Sequence, residues 1–245
     1  YYGTDAVNNV GYEGLLRQLF ANKLTYSDFQ QEVKKMKEMN TNWYKLLFRN
    51  SFNHTHTLSV SGANESVNYY VSLGYSNMKG TTLQEESERY NFMTSFSVKI
   101  SEKLNIGFSL NGSNSETHRP HSSVDLYQYA YFTSRAITPF NEDGTLKYVD
   151  METAYNGNHN LVYNIFNELD NTGQTSNTLS FNSRMDFTYK PIENLSINGL
   201  ASYNINTTDG EDYATEKSYY ISKLRRWKYG IPLPTDDFNF YSNNC

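Results

Sequence analysis

The sequence predicts an all-β protein, a portion of a large antiparallel transmembrane β-barrel with helical segments in its long loops. Three observations predict it. Apolar and polar residues alternate with period two through six runs between Ser51 and Thr207. The polar members of those runs are mostly Ser, Asn, Thr and Gly, with hardly a Lys or Glu. The connections between runs alternate between short and long. Period-two alternation sends one set of side chains to each face of a strand. Short turns at one end and long loops at the other describe an outer-membrane barrel, with periplasmic turns and extracellular loops.

Before the first run, residues 12–21 and 27–39 read as helices. Leu15, Leu16, Leu19 and Phe20 recur at helical spacing, as do Phe29, Val33 and Met36. Ser27 with Gln30 forms a capping box for the second, and Asn40 stands near its end. The period then changes to two. The runs are 51–61, 66–76, 89–101, 104–115, 177–190 and 194–207, with a seventh strand placed within 212–224. "GANE" (62–65), "SEK" (101–103) and "PIEN" (191–194) are short turns, whereas 77–88 is longer and 117–175 very long. A helix over about 123–137, capped by Ser122 or Asp125 and ending before Pro139, occupies the long loop. Asp143-Gly144 builds a turn within 141–145.

Composition narrows the class. Hydrophobic residues make up 38% of 245 residues, yet aromatics reach 16%, with 22 Tyr; mean hydropathy is −0.70. A chain poor in aliphatics and rich in Tyr suits a thin apolar band with aromatic edges. The aromatic content also speaks against disorder. A net charge of −5 excludes a nucleic-acid binder held by a global positive field. Cys245 is the single cysteine, so no internal disulfide forms. No apolar run approaches the ~18 residues of a membrane helix. The chain opens at Tyr1 without an initiator Met and reads as an internal piece of a longer protein.

The polar faces carry Asn68, Ser72 and Ser76; Asn91, Ser95 and Ser97; Asn105, Ser109 and Asn111; Ser180, Asn182, Arg184 and Asp186; and Ser196, Asn198, Ser202 and Asn204. Small neutral groups suit a confined wet interior, where they hydrogen-bond one another or a plug. The apolar rows then face lipid, where only helices and closed barrels satisfy their backbone groups. Tyr69, Tyr75, Tyr90, Tyr189 and Tyr203 are placed toward strand ends, where aromatic girdles belong. A soluble or surface-attached β-sandwich for binding or adhesion is the alternative, and a passive outer-membrane porin the second.

Several stretches then resemble a known family. "NTNWYKLLFRNSFNHTHTLSVSGANESVNYYVSLGYSNMKG", "SRAITPFNEDGTLKY", "RYNFMTSFSVKISEKLNIGFSLNGS" and "SNTLSFNSRMDFTYKPIENLSINGLASYNI" are similar to the SusC/RagA family of TonB-dependent outer-membrane transporters of Bacteroidetes. The resemblance runs from Asn40 to about Thr207 and is specific as an ordered set. Ala63 departs from it, because a second glycine commonly follows Gly62 in such proteins. It implies a barrel of about 22 strands, a plug domain, a SusD-like surface lipoprotein over the mouth, and energy from a TonB complex. The plug and the TonB-binding segment are not among these residues. It further implies active import of a nutrient, glycan oligosaccharide ahead of peptide. Residues 1–50 become an extracellular loop with two short helices. Residues 51–245 become barrel strands with one long extracellular loop at about 117–175.

Candidate sites are few. Tyr127, Tyr131, Phe132 and Arg135 on the loop helix are placed to stack on sugars or grip a lipoprotein lid, or else to pack the loop. Arg184 and Asp186 share the lumen face, as a charged wall toward substrate or plug or as a structural pair. His54 and His56 share the lipid-facing side and read as interfacial histidines rather than ligands. His118, His121 and Glu116 lack the further ligands a zinc site needs. "KLRRWKYG" (223–230) reads as a loop rim or a contact for anionic headgroups, and "DGED" (209–212) as a turn rather than a Ca²⁺ loop. No nucleophile elbow, phosphate loop or HExxH is present, so the sequence points to neither an enzyme nor a cofactor.

Overall fold

The computed structural model describes residues 11–153 and 159–231; Cys245 lies outside them. The chain divides into two compact units. One is a sheet, residues 50–119 and 175–211. The other gathers residues 1–49, 120–174 and 212–245, the segments that precede, interrupt and follow the sheet strands.

Six antiparallel strands form the sheet: β1 (Phe52–Ala63), β2 (Val67–Lys79), β3 (Glu86–Ser101), β4 (Leu104–Arg119), β7 (Thr172–Ile192) and β8 (Leu195–Ala214), in the order β1-β2-β3-β4-β7-β8. The order leaves β1 and β8 as edges, so these residues form an open sheet rather than a closed barrel. Register follows the hydrophobic pattern. Val60↔Val71↔Thr94↔Leu110 forms one apolar row, Gly62↔Tyr69↔Phe96↔Phe108 the next, and Val67↔Val98↔Ile106 the one beyond. A one-residue slip would send every such side chain to the other face. Close strand approach is set by glycines under aromatic rings. A Cβ at Gly62, Gly112 or Gly199 would collide with the ring of Tyr69, Phe92 or Phe187 respectively, a ring-over-glycine pairing suited to strand edges and bends.

The predicted short turns are present. Asn64 closes the first, its side-chain carbonyl accepting from the amides of Ser66 (2.9 Å) and Val67 (2.7 Å). The structure corrects the strand bounds. β2 and β3 continue past the expected ends, leaving only residues 80–85 as their turn. β4, β7 and β8 likewise run further on the long-loop side. Polar residues dominate these extensions, which is why an apolar-row criterion ended the strands too early. The expected seventh strand is absent. Residues 212–214 complete β8, and α6 (Tyr219–Arg225) follows. Ser218 caps that helix by accepting from the Ile221 amide. "DGED" is likewise strand, not turn, because it lies inside β8. Tyr203 sits near the middle of β8 rather than toward an end.

The second unit holds α1 (Gly11–Phe20), α2 (Tyr26–Glu38), α3 (Trp43–Leu47), α4 (Leu126–Phe132), α5 (Ile165–Asn171) and α6, with a hairpin of β5 (Val149–Thr153) and β6 (Asn160–Tyr163). Thr25, not Ser27, caps α2: its hydroxyl accepts from the Asp28 amide and donates to the Asp28 carboxylate at 2.6 Å. α4 is shorter than expected, with Asp125 as its N-cap and Thr133 as its C-cap. The turn at Asp143-Gly144 forms with Gly144 at φ 81°, and the Asp143 carboxylate accepts from the Thr145 amide and hydroxyl. These bonds hold the Asp143 carboxyl below the usual carboxylate range. Trp43, Leu47, Leu126, Tyr129, Leu161, Ile165 and Leu169 are buried and form the core of this unit. Trp43 donates from its indole N–H to the Ser134 carbonyl (3.1 Å) and meets Tyr129 edge-on at 5.1 Å.

Candidate functional site

On the polar face of the sheet, β7 and β8 are tied by side chains. Thr178 meets Thr208 at 3.1 Å, and the Ser180 hydroxyl donates to Asn206 at 2.8 Å. Asn182 donates to Asn204, and Thr188 to Asn198 at 2.9 Å. Each group is thus satisfied by a neutral neighbour, as a wet wall without fixed charge requires. Arg184 and Asp186 interrupt this ladder. Their side chains pair at 3.6 Å while half-exposed, and the Asp186 carboxylate lies over Gly107, where a Cβ would strike it.

The other face is apolar and exposed. Its upper limit is an aromatic row in which Tyr75 and Tyr90 lie 5.0 Å apart and His56 stacks on Tyr75. His54 packs on Tyr75 as well, at 5.7 Å. The Tyr75 hydroxyl and the Asn77 amide both donate to Glu88, marking the change from apolar to charged surface. From Val67 to Tyr75 the strand rises about 27 Å; tilted by ~45°, that is roughly 20 Å of height, close to the ~25 Å apolar band of such barrels. A hollow of about 1190 Å³ lies over part of the sheet, lined by Leu58, Leu73, Tyr90, Phe92 and Phe181 among others. These are the apolar rows themselves, so few recognising groups stand there.

In the loop unit, a cavity of about 810 Å³ opens between α4, α5, α6 and the β5–β6 hairpin. Tyr129, Tyr163, Tyr219 and Tyr220 contribute to its walls. Tyr163 meets Tyr219 edge-on at 5.4 Å and Tyr129 at 5.9 Å. Beneath them Glu168 is almost wholly buried. Its carboxylate accepts from the Tyr219 amide (2.5 Å), the Tyr220 amide (3.2 Å) and the Asn167 side chain (3.2 Å). These donors include the first two amides of α6, so a residue about fifty positions away satisfies its orphan N–H groups. Burial pushes the Glu168 carboxyl above its ordinary range, and the amide bonds only partly oppose this. His121 is buried alongside, against Tyr220 at 4.8 Å. Its Nδ1 accepts from the Ser123 amide, so Nε2 carries the proton and donates to Asp212 at 3.1 Å.

The sequence-predicted loop residues fall on α4 and just after it. Tyr127 packs on Phe48 at 4.6 Å. Tyr131 and Phe132 meet edge-on at 5.0 Å, and both are exposed. The Arg135 carbonyl accepts from the Thr41 amide. Tyr127, Tyr131, Phe132 and Arg135 line no part of the loop cavity, whereas Tyr129 of α4 does. Glu116 and His118 pair at 3.1 Å, and His121 is engaged by Asp212. Among the described residues no group of three His, Cys, Asp or Glu is placed to hold a metal. Within 223–230, Trp227 is buried against His159 while Arg225 pairs with Glu216 at 2.9 Å. That segment is therefore anchored at Trp227 and Arg225, while Lys223 and Arg226 stay exposed.

No family model matches the chain. A TonB-dependent receptor, P26 of Formosa agariphila, is 31% identical over 106 residues, 43% of this chain and 10% of the relative. The solved RagAB peptide transporter matches with a TM-score of 0.59 at 20% identity, over 86% of this chain and 27% of that chain. The RagAB peptide importer in its closed-closed state matches at 0.60 and 19% identity, over 89% and 28% respectively. The fold is that of part of a SusC/RagA-type TonB-dependent transporter. The chain spans about a tenth of the curated relative and about a quarter of the solved transporter chains it matches.

Within this RagA-type fold, sequence reasoning missed α3, α5, α6, the β5–β6 hairpin and the cavity they enclose. The local signals available were N-caps: Asn42, Asn164 and Ser218 each precede a short helix and cap it. The buried carboxylate itself had no signature, because Glu168 in "IFNELDN" looks like any exposed helix acid.

Proposed function

We propose that the chain is barrel wall and loop of a TonB-dependent transporter that actively imports an oligomeric nutrient across the bacterial outer membrane, glycan oligosaccharide ahead of peptide. The observation that carries this reading is the inverted sheet. Its apolar rows are exposed and bounded by an aromatic row, while the β7–β8 part of its polar face pairs side chains in a neutral ladder. A water-soluble sheet buries the first and solvates the second with charge; a barrel in lipid does the reverse. In this reading β1–β4, β7 and β8 supply membrane strands, and the segments of the loop unit lie outside the cell. Arg184 and Asp186 face the lumen. Tyr127, Tyr131, Phe132 and Arg135 meet substrate or a SusD-like lipoprotein lid; the exposure of the Tyr131 and Phe132 rings supports this, as does the likeness to the RagAB peptide importer. TonB engages a segment upstream, and gating rather than bond-making chemistry is the mechanism.

The test is fractionation of the native protein followed by uptake of labelled oligosaccharides and peptides with and without TonB. Detergent-dependent recovery from the outer membrane and TonB-dependent uptake are expected. Solubility without detergent would replace the reading with a surface β-module, and undiminished uptake without TonB with a passive porin.

A further inference from the structure

We infer that the cavity among α4, α5, α6 and the β5–β6 hairpin binds a small ligand by its carboxylate, held by Lys223 and Arg226 with its body against the tyrosine wall. The inference deepens the import reading by naming a ligand chemistry, and it rests on that reading only for its biological meaning.

Charge bookkeeping within the cavity leads there. Four acidic or basic residues contribute to its lining: Asp125, Glu168, Lys223 and Arg226. Both carboxylates are already engaged by helix starts. Glu168 takes the Tyr219 and Tyr220 amides, and Asp125 takes the Gln128 amide at 2.9 Å. The two cations are not so engaged. Among the described residues neither forms an ion pair. Lys223 only lies over the Tyr219 ring at 6.0 Å, and the neighbouring Arg225 is the one that binds Glu216. Lys223 in the last turn of α6 and Arg226 at its C-cap both line the cavity.

The backbone supplies a second observation. Arg226 is the C-cap of α6 and adopts the left-handed conformation, φ 52° and ψ 30°. Glycine takes this conformation without steric penalty, and it is the usual residue where a helix ends in this way. Strain of this kind held at a cavity wall is a mark of a functional position. A guanidinium and an ammonium from the lining of one cavity suit a carboxylate, which Arg grips with two parallel N–H donors. The tyrosine rings offer flat, partly polar faces to a sugar ring or an apolar side chain. A uronic acid and a peptide C-terminus both present this chemistry, and the experiment separates them.

Calorimetric titration of the detergent-purified native protein would use four probes: digalacturonate, digalactose, acetyl-Phe-Gly with a free carboxylate, and its C-terminal amide. At least one acid should bind about tenfold or more tightly than its neutral counterpart, the scale of one charge-assisted hydrogen-bond pair. Digalacturonate alone identifies the source as an acidic saccharide, and the free-carboxylate peptide alone identifies a peptide terminus; either supports the inference. Arg226→Gly should lose that preference by about tenfold while raising the melting temperature, because glycine relieves the left-handed strain. Lys223→Met should lose the preference with the melting temperature unchanged. Equal binding of acid and neutral probes, no binding of any probe, or full retention of the preference in both variants would overturn the inference. TonB-dependent uptake that persists in any of those cases would leave the import reading standing.

Discussion

The loop unit and the sheet treat the same residue types in opposite ways. Leu47, Leu161 and Ile165 are at most 1% exposed in the loop unit. Leu58 and Leu73 are 69% and 56% exposed on the sheet. The polar residues reverse as well: Glu168 and Asn164 are buried in the loop unit and hydrogen-bonded there, whereas the sheet's Asn and Ser groups pair along its open polar face. A single mean hydropathy averages these two regimes and describes neither. The lesson is that one chain contains a part that water folds and a part that, in the proposed barrel, takes a nonpolar surround on one face. Each fully buried leucine or isoleucine in the first contributes about 1.5–3 kcal/mol through removal from water. The exposed rows of the second contribute comparably only when lipid covers them.

The comparison breaks most sharply at the loop core. Leu47→Ala should cost about 2–5 kcal/mol in the loop unit, read as lost hydrogen-exchange protection in α3, with the detergent resistance expected of the proposed barrel retained. On the sheet, Leu73→Arg should cost about 2–4 kcal/mol for folding into lipid vesicles, yet little in loop protection. A neutral result there would remove the lipid-facing assignment. Gly112→Val drives a side chain into the Phe92 ring and should cost about 1–3 kcal/mol by overpacking, measured by the same vesicle assay.

A subtler contrast lies in pH. The Glu168 carboxyl is raised above its usual value near 4.5 by burial. Its contribution to stability is therefore fully present below that usual value and is lost as pH rises through the raised one. Exchange protection at the Tyr219 and Tyr220 amides, corrected for intrinsic rates, should fall as pH rises across that window. Glu168→Gln should flatten the dependence, and an unchanged slope would assign it to another group. The smallest effect belongs to the polar ladder. Asn182→Ser should change vesicle-folding stability by only about 0.5–1 kcal/mol, since the bond to Asn204 is replaced by water.

The sequence by itself determined the six sheet strands, short of their full lengths, and their two faces. Alternation is a local property: each residue's side of the sheet follows from its parity, and the rows at Leu58, Leu73 and Phe92 align as their spacing requires. It also determined the short turns and the Asp143-Gly144 turn, whose bonds close within a few residues. Tertiary structure decided the rest. α6 replaces an expected strand because Ser218 and the remote Glu168 together satisfy its first amides. Glu168, His121 and Asp212 belong to segments 44 to 91 positions apart, and no periodicity encodes such a meeting. Local pattern specifies which way a side chain points, while long-range packing alone specifies what it finds there.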